Sequence, residues 1–249
     1  MITRPAVLLL LASLLLPGVS DAAKKDKRVD RIWTHPEIDS FGVGRIAMLP
    51  VTTFDNDLPS EKVVENHFAQ ALHTSGHRWI SATTTREMLR SGGKDSVLNV
   101  ARKTVLDTGR LDSLMAPGLC RTLRADAILA VRVDQWEKIE LEPDQSGKPT
   151  TSIQLKASLV DSTGALLWSA AGSQTGEGAY HEAGAGAIGM TGGSLERKAV
   201  TGQGVAPSFP EVLTPLLARW APLFPAKTTP GAAAADSTRA SSPVPASKP

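Results

Sequence analysis

The chain has 249 residues, a formal net charge of +2 and one cysteine. A single cysteine cannot form a disulfide within the chain, which excludes a disulfide-stabilised scaffold. Lysine and arginine number 27 against 25 acidic residues, a balance that disfavours a strongly basic nucleic-acid binder.

The first 22 residues have the layout of a secretion signal. Arg4 provides a positive charge, residues 6–16 form an apolar run, and Ser20 and Ala22 are the small residues that precede a cleavage site. The run is shorter than the roughly 20 apolar residues of a membrane span. We therefore predict export to the periplasm with cleavage after Ala22, and retention as an uncleaved anchor is the alternative. Since no cysteine lies near the cleavage site, we expect that the protein is not a lipoprotein.

Composition divides the rest of the chain into an arm, a domain and a tail. Residues 23–40 form a basic N-terminal arm, which we expect to be solvated. Residues 41–224 form the predicted α/β domain, which contains a glycine-rich loop over 172–204. Residues 225–249 are rich in proline, alanine, serine and threonine. Because this segment can bury too little apolar surface to offset chain entropy, we predict a disordered tail.

The first half of the domain alternates short strands with helices. The apolar run 45–51 predicts a buried strand, and apolar residues at helical spacing predict a helix over 59–74. A second short strand is predicted over 78–81. Thr84 and Glu87 have the spacing of a capping box, which predicts the start of the next helix.

The second half predicts an antiparallel meander of strands over about 126–172. Its first strand begins fully apolar and ends alternating, and residues 153–160 alternate apolar with polar side chains. A type I turn is predicted at 161–164, and Ser208 and Glu211 predict the start of a C-terminal helix. The predicted fold class is α/β (α+β), with a single mixed sheet, helices on one side and an antiparallel C-terminal meander.

The sequence offers no catalytic constellation. Residues 184–189 spell the dinucleotide-binding pattern G-x-G-x-x-G, but neither an apolar strand before it nor a helix after it accompanies the pattern. His67 and His73 would point to different faces of a helix, which argues against a metal site. Cys120 is interpreted as a buried small hydrophobe, with an intermolecular disulfide as the alternative. We therefore expect a protein that is not an enzyme, with no catalytic, cofactor-binding or metal-binding residues and no cofactor.

Three sequence blocks in order carry a family resemblance. They are R-I-A-M-L-P-V at 45–51, R-A-D-A-I-L-A-V-R-V-D-Q-W at 124–136, and I-Q-L-K-A-S-L-V-D-S-T-G-A-L-L-W-S at 153–169. They resemble periplasmic domains of the CsgG type, a fold shared by the N-terminal domain of TolB and by LpoB. The segment G-A-I-G-M at 186–190 fits the G-x-I-G-M of small envelope proteins associated with CsgG-like secretion components.

The resemblance implies a non-catalytic assembly or recruitment domain. The relatives are typically lipoproteins, whereas this chain lacks the lipidated cysteine. The long polar hairpins that build the CsgG pore are also absent from this sequence, so pore formation is not expected.

Together these observations predict an exported protein-binding domain that is an accessory or assembly component of a bacterial envelope or secretion complex. Its glycine-rich loop would become ordered on the partner. The candidate contact residues are Trp136, Tyr180, Ile188 and Met190. The alternatives are a cell-wall or membrane-surface binder that uses the basic arm and the tail, and a periplasmic enzyme with a dispersed site. A homo-oligomer stays open, and no nucleic-acid partner is expected.

Overall fold

A computed structural model describes residues 30–54, 57–142, 144–181 and 205–227. The predicted secretion signal, most of the basic arm and most of the predicted tail lie outside the described residues. The same holds for Ile188 and Met190, two of the four candidate contact residues.

One mixed sheet of seven strands, numbered along the chain with the bounds given at the end of this paragraph, organises the domain. The strand order is β1-β7-β6-β5-β2-β4, and β3 pairs with β5 beside β2. Strands β2, β3 and β4 take part in parallel pairs, and β5, β6, β7 and β1 form successive antiparallel pairs. This arrangement confirms the predicted fold class and the predicted meander. The predicted start of the glycine-rich loop at residue 172 was wrong, because the last strand pairs with its neighbour as far as Glu177. The strands are β1 (Arg31–Thr34), β2 (Arg45–Met48), β3 (Thr52–Thr53), β4 (Arg78–Ile80), β5 (Ala127–Ile139), β6 (Thr150–Asp161) and β7 (Leu166–Glu177).

Five α-helices pack on this sheet. The predicted capping box at Ser208 and Glu211 is present at the start of the last helix. The prediction for the second helix was wrong by one turn, because the Ser81 side chain accepts the N–H of Thr84 and the helix begins directly after it. The helices are α1 (Leu58–Leu72), α2 (Ala82–Ser91), α3 (Asp95–Thr108), α4 (Ala116–Leu123) and α5 (Phe209–Trp220).

The helices cover both faces of the sheet, not one face as predicted. On β5, Leu129 and Val131 belong to the core under α1 and α5, whereas Ile128 and Ala130 belong to a second core under α2, α3 and α4. Successive side chains of a strand point to opposite faces. The fully apolar start of β5 is therefore typical of a strand that is buried on both sides.

Away from the start of β5 and the β6–β7 turn, the meander has one covered and one open face. Ile153, Leu155 and Ala157 of β6 are buried in the core under α1 and α5. Between them, Gln154 is exposed and Lys156 is half-buried on the opposite face. Strand β1 adds to this part of the sheet, although its residues were assigned to the solvated arm. The folded sheet therefore begins inside the range that was predicted to be an arm.

Candidate docking surface

The end of the meander farthest from the β6–β7 turn is held by backbone hydrogen bonds. We call this region the distal end; it comprises residues 139–142, 144–150, 178–181 and 205–208. Gly147 and His181 donate their N–H groups to each other's carbonyls, at 2.9 and 2.7 Å. Gly178 N–H donates to the Pro149 carbonyl at 2.8 Å. The chain that leaves β7 is therefore fixed against the β5–β6 hairpin as far as His181.

The chain returns from the glycine-rich segment to the same place. A Cβ on Gly178 would lie only 2.5 Å from the Val205 carbonyl oxygen, so the two backbones touch where only glycine fits. The Thr151 hydroxyl donates to the Pro207 carbonyl at 2.6 Å, which fixes the approach to α5. The two ends of the glycine-rich segment are thus held side by side on the meander.

Large apolar side chains are exposed at this distal end. Tyr180 is 60% exposed, and Ile139 and Val205 are each about half exposed. Ile139 pairs in register with Thr150, which pairs in turn with Glu177, so all three lie in one row across the hairpins. Contiguous exposed apolar side chains are typical of surfaces that bind other proteins, and these three are candidates because all of them lie at the distal end.

The candidate contact residues from the sequence have different surroundings here. Tyr180 lies at the distal end and is open to solvent. Trp136 is half-buried, because its ring stacks on Phe209 with centroids 4.2 Å apart and 12° between the planes. That stacking attaches the start of α5 to the meander, so Trp136 has a packing role. Ile188 and Met190 lie outside the described residues.

Ile139 and Val205 were missed by the sequence analysis. Ile139 ends the alternating part of β5, and its position on the open face follows only from the register with β6. Val205 follows a long glycine-rich segment, and nothing in its local sequence indicates that the chain returns beside Gly178.

Two ion pairs involve residues at or next to the distal end. Lys148 Nζ lies 2.8 Å from a Glu177 carboxylate oxygen, and Lys138 Nζ lies 2.5 Å from Glu140. The hydrogen bond to Glu177 raises the pKa of Lys148. Exposed pairs of this kind contribute little to stability. They can nevertheless select an incoming surface by its charge.

A second group of charges lies inside the protein, near the carboxyl end of β2. Glu61 is buried and pairs with Arg102 at 2.5 Å and with Arg86 at 3.7 Å. Glu65 accepts the Val51 N–H at 3.2 Å, and burial raises the pKa of Glu65. These contacts join α1 to α2, α3 and the strand end, which is a structural arrangement.

The remaining residues considered for chemistry have ordinary partners. His67 Nδ1 lies 2.8 Å from the Val63 carbonyl, within α1. Cys120 is buried, and burial, with Asp161 and Asp126 nearby, raises the pKa of its thiol to about 12. A buried, protonated thiol does not react readily, so the intermolecular disulfide is not supported. Among the described residues, no group of three metal-ligating side chains occurs.

Comparison with protein-family models found no match, and comparison with curated proteins found none either. In the described part of the chain, no helix combines the length and the apolar character that crossing a bilayer requires.

Similar solved structures were found. Lipoprotein GNA1162 from Neisseria meningitidis is 20% identical over 54% of this chain and 83% of its own, with a TM-score of 0.41. A PelC dodecamer from Paraburkholderia phytofirmans is 17% identical over 78% of this chain and 98% of its own, with a TM-score of 0.42. The LpoB C-terminal domain from Salmonella enterica is 15% identical over 53% of this chain and 82% of its own, with a TM-score of 0.31. The resemblance to CsgG-type domains stays a prediction.

Proposed function

We propose that the protein is an exported, non-catalytic accessory component of a bacterial envelope or secretion complex, and that it binds another envelope protein through its distal end. The predicted export signal and the resemblance of the three sequence blocks support the location. The observation that carries the proposal is that both ends of the glycine-rich segment are held side by side at the distal end, where Tyr180, Ile139 and Val205 are exposed.

The mechanism is burial of these apolar groups against a partner, assisted by the glycine-rich segment. Ordering backbone on binding costs about 1–2 kcal/mol for each residue that becomes fixed. The distal end already holds both ends of the segment, and this pre-organisation lowers that cost. The exposed apolar side chains, which project from the fixed backbone of the distal end, then supply most of the affinity. The expected partner surface is an apolar depression with charges of both signs at its rim.

The experiment compares capture of partners by tagged mature variants from gently solubilised envelopes, with identification by mass spectrometry. One variant replaces residues 183–203 by a short glycine-serine linker, which keeps both anchored ends. A second variant is Tyr180→Ala. The control is Leu114→Ala, because Leu114 is the most exposed large apolar residue described and lies outside the distal end. We expect both test variants to lose one defined envelope protein that the wild type and the control retain.

Other results would contradict the proposal. Capture of the same proteins by all four chains would show that the distal end does not bind the partner. Sedimentation with envelopes that is reversed by salt and unaffected by either test variant would favour the cell-wall or membrane-surface alternative.

A further inference from the structure

A cleft lies between the end of α3 and the open face of the sheet. We call it the basic cleft; it is defined by Arg31, Arg110, Lys156 and Ser158, and its volume is about 210 Å³. Three cationic side chains line it, and no aspartate or glutamate is among the described lining residues. The cleft lies away from the distal end and is independent of the docking proposed above.

Strand register brings these cations together from distant parts of the sequence. Arg31 of β1 is opposite Ala171 of β7, Ala171 is opposite Lys156 of β6, and Lys156 is opposite Arg132 of β5. The four positions form one row across four strands, with neighbours about 4.8 Å apart. The small Ala171 side chain leaves space between Arg31 and Lys156.

The end of α3 closes the other side of the cleft. Gly109 has a φ of +77°, and a Cβ at this position would lie 3.0 Å from Lys156 Cδ. Because residue 109 is a glycine, the end of α3 can pack against the aliphatic part of the Lys156 side chain. The next residue, Arg110, lines the cleft from this side.

The cationic side chains at the basic cleft outnumber the carboxylates that pair with them. Asp134 pairs with both Arg132 Nε at 2.5 Å and Lys156 Nζ at 3.0 Å, so one carboxylate serves two cations. No ion pair involves Arg31 or Arg110 within the described residues. The local charge is therefore positive, and the two unpaired guanidinium groups are the ones at the cleft margin.

A buried hydroxyl provides a second, independent observation. Ser158 is only 2% exposed, and its Oγ has no hydrogen-bond partner among the described residues. A buried polar group without a partner costs free energy. Ser158 pairs in register with Ser169, another lining residue. A ligand oxygen in the cleft would provide the acceptor that the Ser158 hydroxyl lacks.

We propose that the basic cleft binds a phosphate-type oxyanion. A carboxylate offers two oxygens, whereas the cleft supplies cations from β1, from β6 and from the end of α3, together with serine hydroxyls. This donor set matches the several oxygens of a tetrahedral anion, and guanidinium groups are suited to phosphate geometry. The shared ligand chemistry is a phosphate group, from free phosphate, a soluble phosphate ester or a lipid headgroup.

The test measures binding of inorganic phosphate to the full mature protein by NMR titration. We expect saturable shifts at Lys156, Ser158 and Arg110. Arg31→Gln combined with Arg110→Gln should weaken the affinity at least about tenfold, as expected for the loss of two charge-assisted contacts. Arg121→Gln on α4 is the control, because Arg121 is also exposed but lies outside the cleft. An equal loss of affinity in the control overturns the proposal.

Ser158→Ala separates binding from folding. We expect this variant to weaken phosphate binding while its thermal midpoint without phosphate stays equal or rises, since the unpartnered hydroxyl is removed. A lower midpoint with unchanged phosphate affinity would contradict a ligand role for Ser158.

Two further probes identify the source of the phosphate group. Vesicles of phosphatidylglycerol and phosphatidylcholine test a lipid headgroup, and glycerol 1-phosphate tests a soluble ester. Vesicle binding that the paired arginine variant loses supports the headgroup source. Binding of the soluble probes alone supports a soluble ligand. Failure of inorganic phosphate and both further probes to bind the wild type overturns the inference and leaves the docking proposal untouched.

Discussion

The two halves of the sheet differ in how many of their faces are covered by helices. In one half, β2, β4 and the start of β5 lie between two helix layers, and both of their faces are apolar. In the other half, β6, β7 and β1 have a core on one face, and the second core reaches only Val160 and Leu166 beside the β6–β7 turn. Their second face carries Arg31, Lys156 and Ser169 along the basic cleft. Core contacts therefore occupy both faces of the enclosed half but mainly one face of the open half, whose second face can carry polar and charged side chains.

The largest expected effect comes from the covered face of the open half. Trp220 of α5 is fully buried between Phe68 and Trp168, with ring centroids 6.1 and 6.3 Å away. Trp220→Ala should lower the free energy of unfolding by about 3–5 kcal/mol in urea, because it leaves a cavity. Gln154→Ala on the uncovered face should change it by less than about 0.5 kcal/mol. Similar losses for both would show that the uncovered face also carries core contacts.

A smaller loss is expected from the buried ion pairs of the enclosed half. Glu61→Ala leaves Arg102 and Arg86 without their shared carboxylate, and it should cost about 2 kcal/mol of unfolding free energy. The control is Arg90→Ala, which removes an exposed pair with Asp95 and should cost less than about 0.5 kcal/mol. Equal costs would mean that the Glu61 pairs are no stronger than a surface pair.

Gly109→Ala tests the contact that joins the two halves. The φ of +77° should make this change cost about 1 kcal/mol. The added methyl would also displace Lys156 and so weaken phosphate binding. Gly118 lies inside α4 with open space around it, so Gly118→Ala should stabilise the protein instead. Thermal midpoints and phosphate titrations of both variants check these opposite signs.

The smallest expected effect is a pH dependence in the enclosed half. Burial raises the folded-state pKa of Glu65 above its ordinary value of 4.5, so the folded protein binds this proton more tightly than the unfolded chain. Stability from Glu65 is therefore lost as pH rises from the unfolded to the folded pKa. Glu65→Gln should raise the unfolding free energy at pH 7, because a neutral amide carries no charge into this partly buried site. The gain should vanish below pH ~4, and a gain that is independent of pH would contradict this explanation.

The sequence predicted those parts of the fold that depend on local patterns. The capping box at Ser208 and Glu211 and the alternation over 153–160 are properties of neighbouring residues, and both are found in the structure. The helix layers were assigned to one face although the fully apolar start of β5 already indicates burial on two faces. That prediction failed because the apolar pattern was used to assign β5 as a strand and not to infer that helices cover both of its faces.

The parts that could not be predicted depend on contacts between distant residues. Arg31 lies in a charged segment that is typical of a solvated arm, and its strand is recognisable only through pairing with β7 more than a hundred residues later. The row from Arg31 to Arg132 requires the register of four strands. Val205 likewise gains its place at the distal end only because the chain returns beside Gly178.

The contact between Gly178 and Val205 also bears on how this protein can evolve. Since the chain leaves and returns at one point, the length of the intervening segment hardly affects the strands on either side. Each doubling of a flexible loop costs only about 0.6 kcal/mol of closure entropy. Insertions and deletions among descendants of this sequence should therefore accumulate between residues 182 and 204.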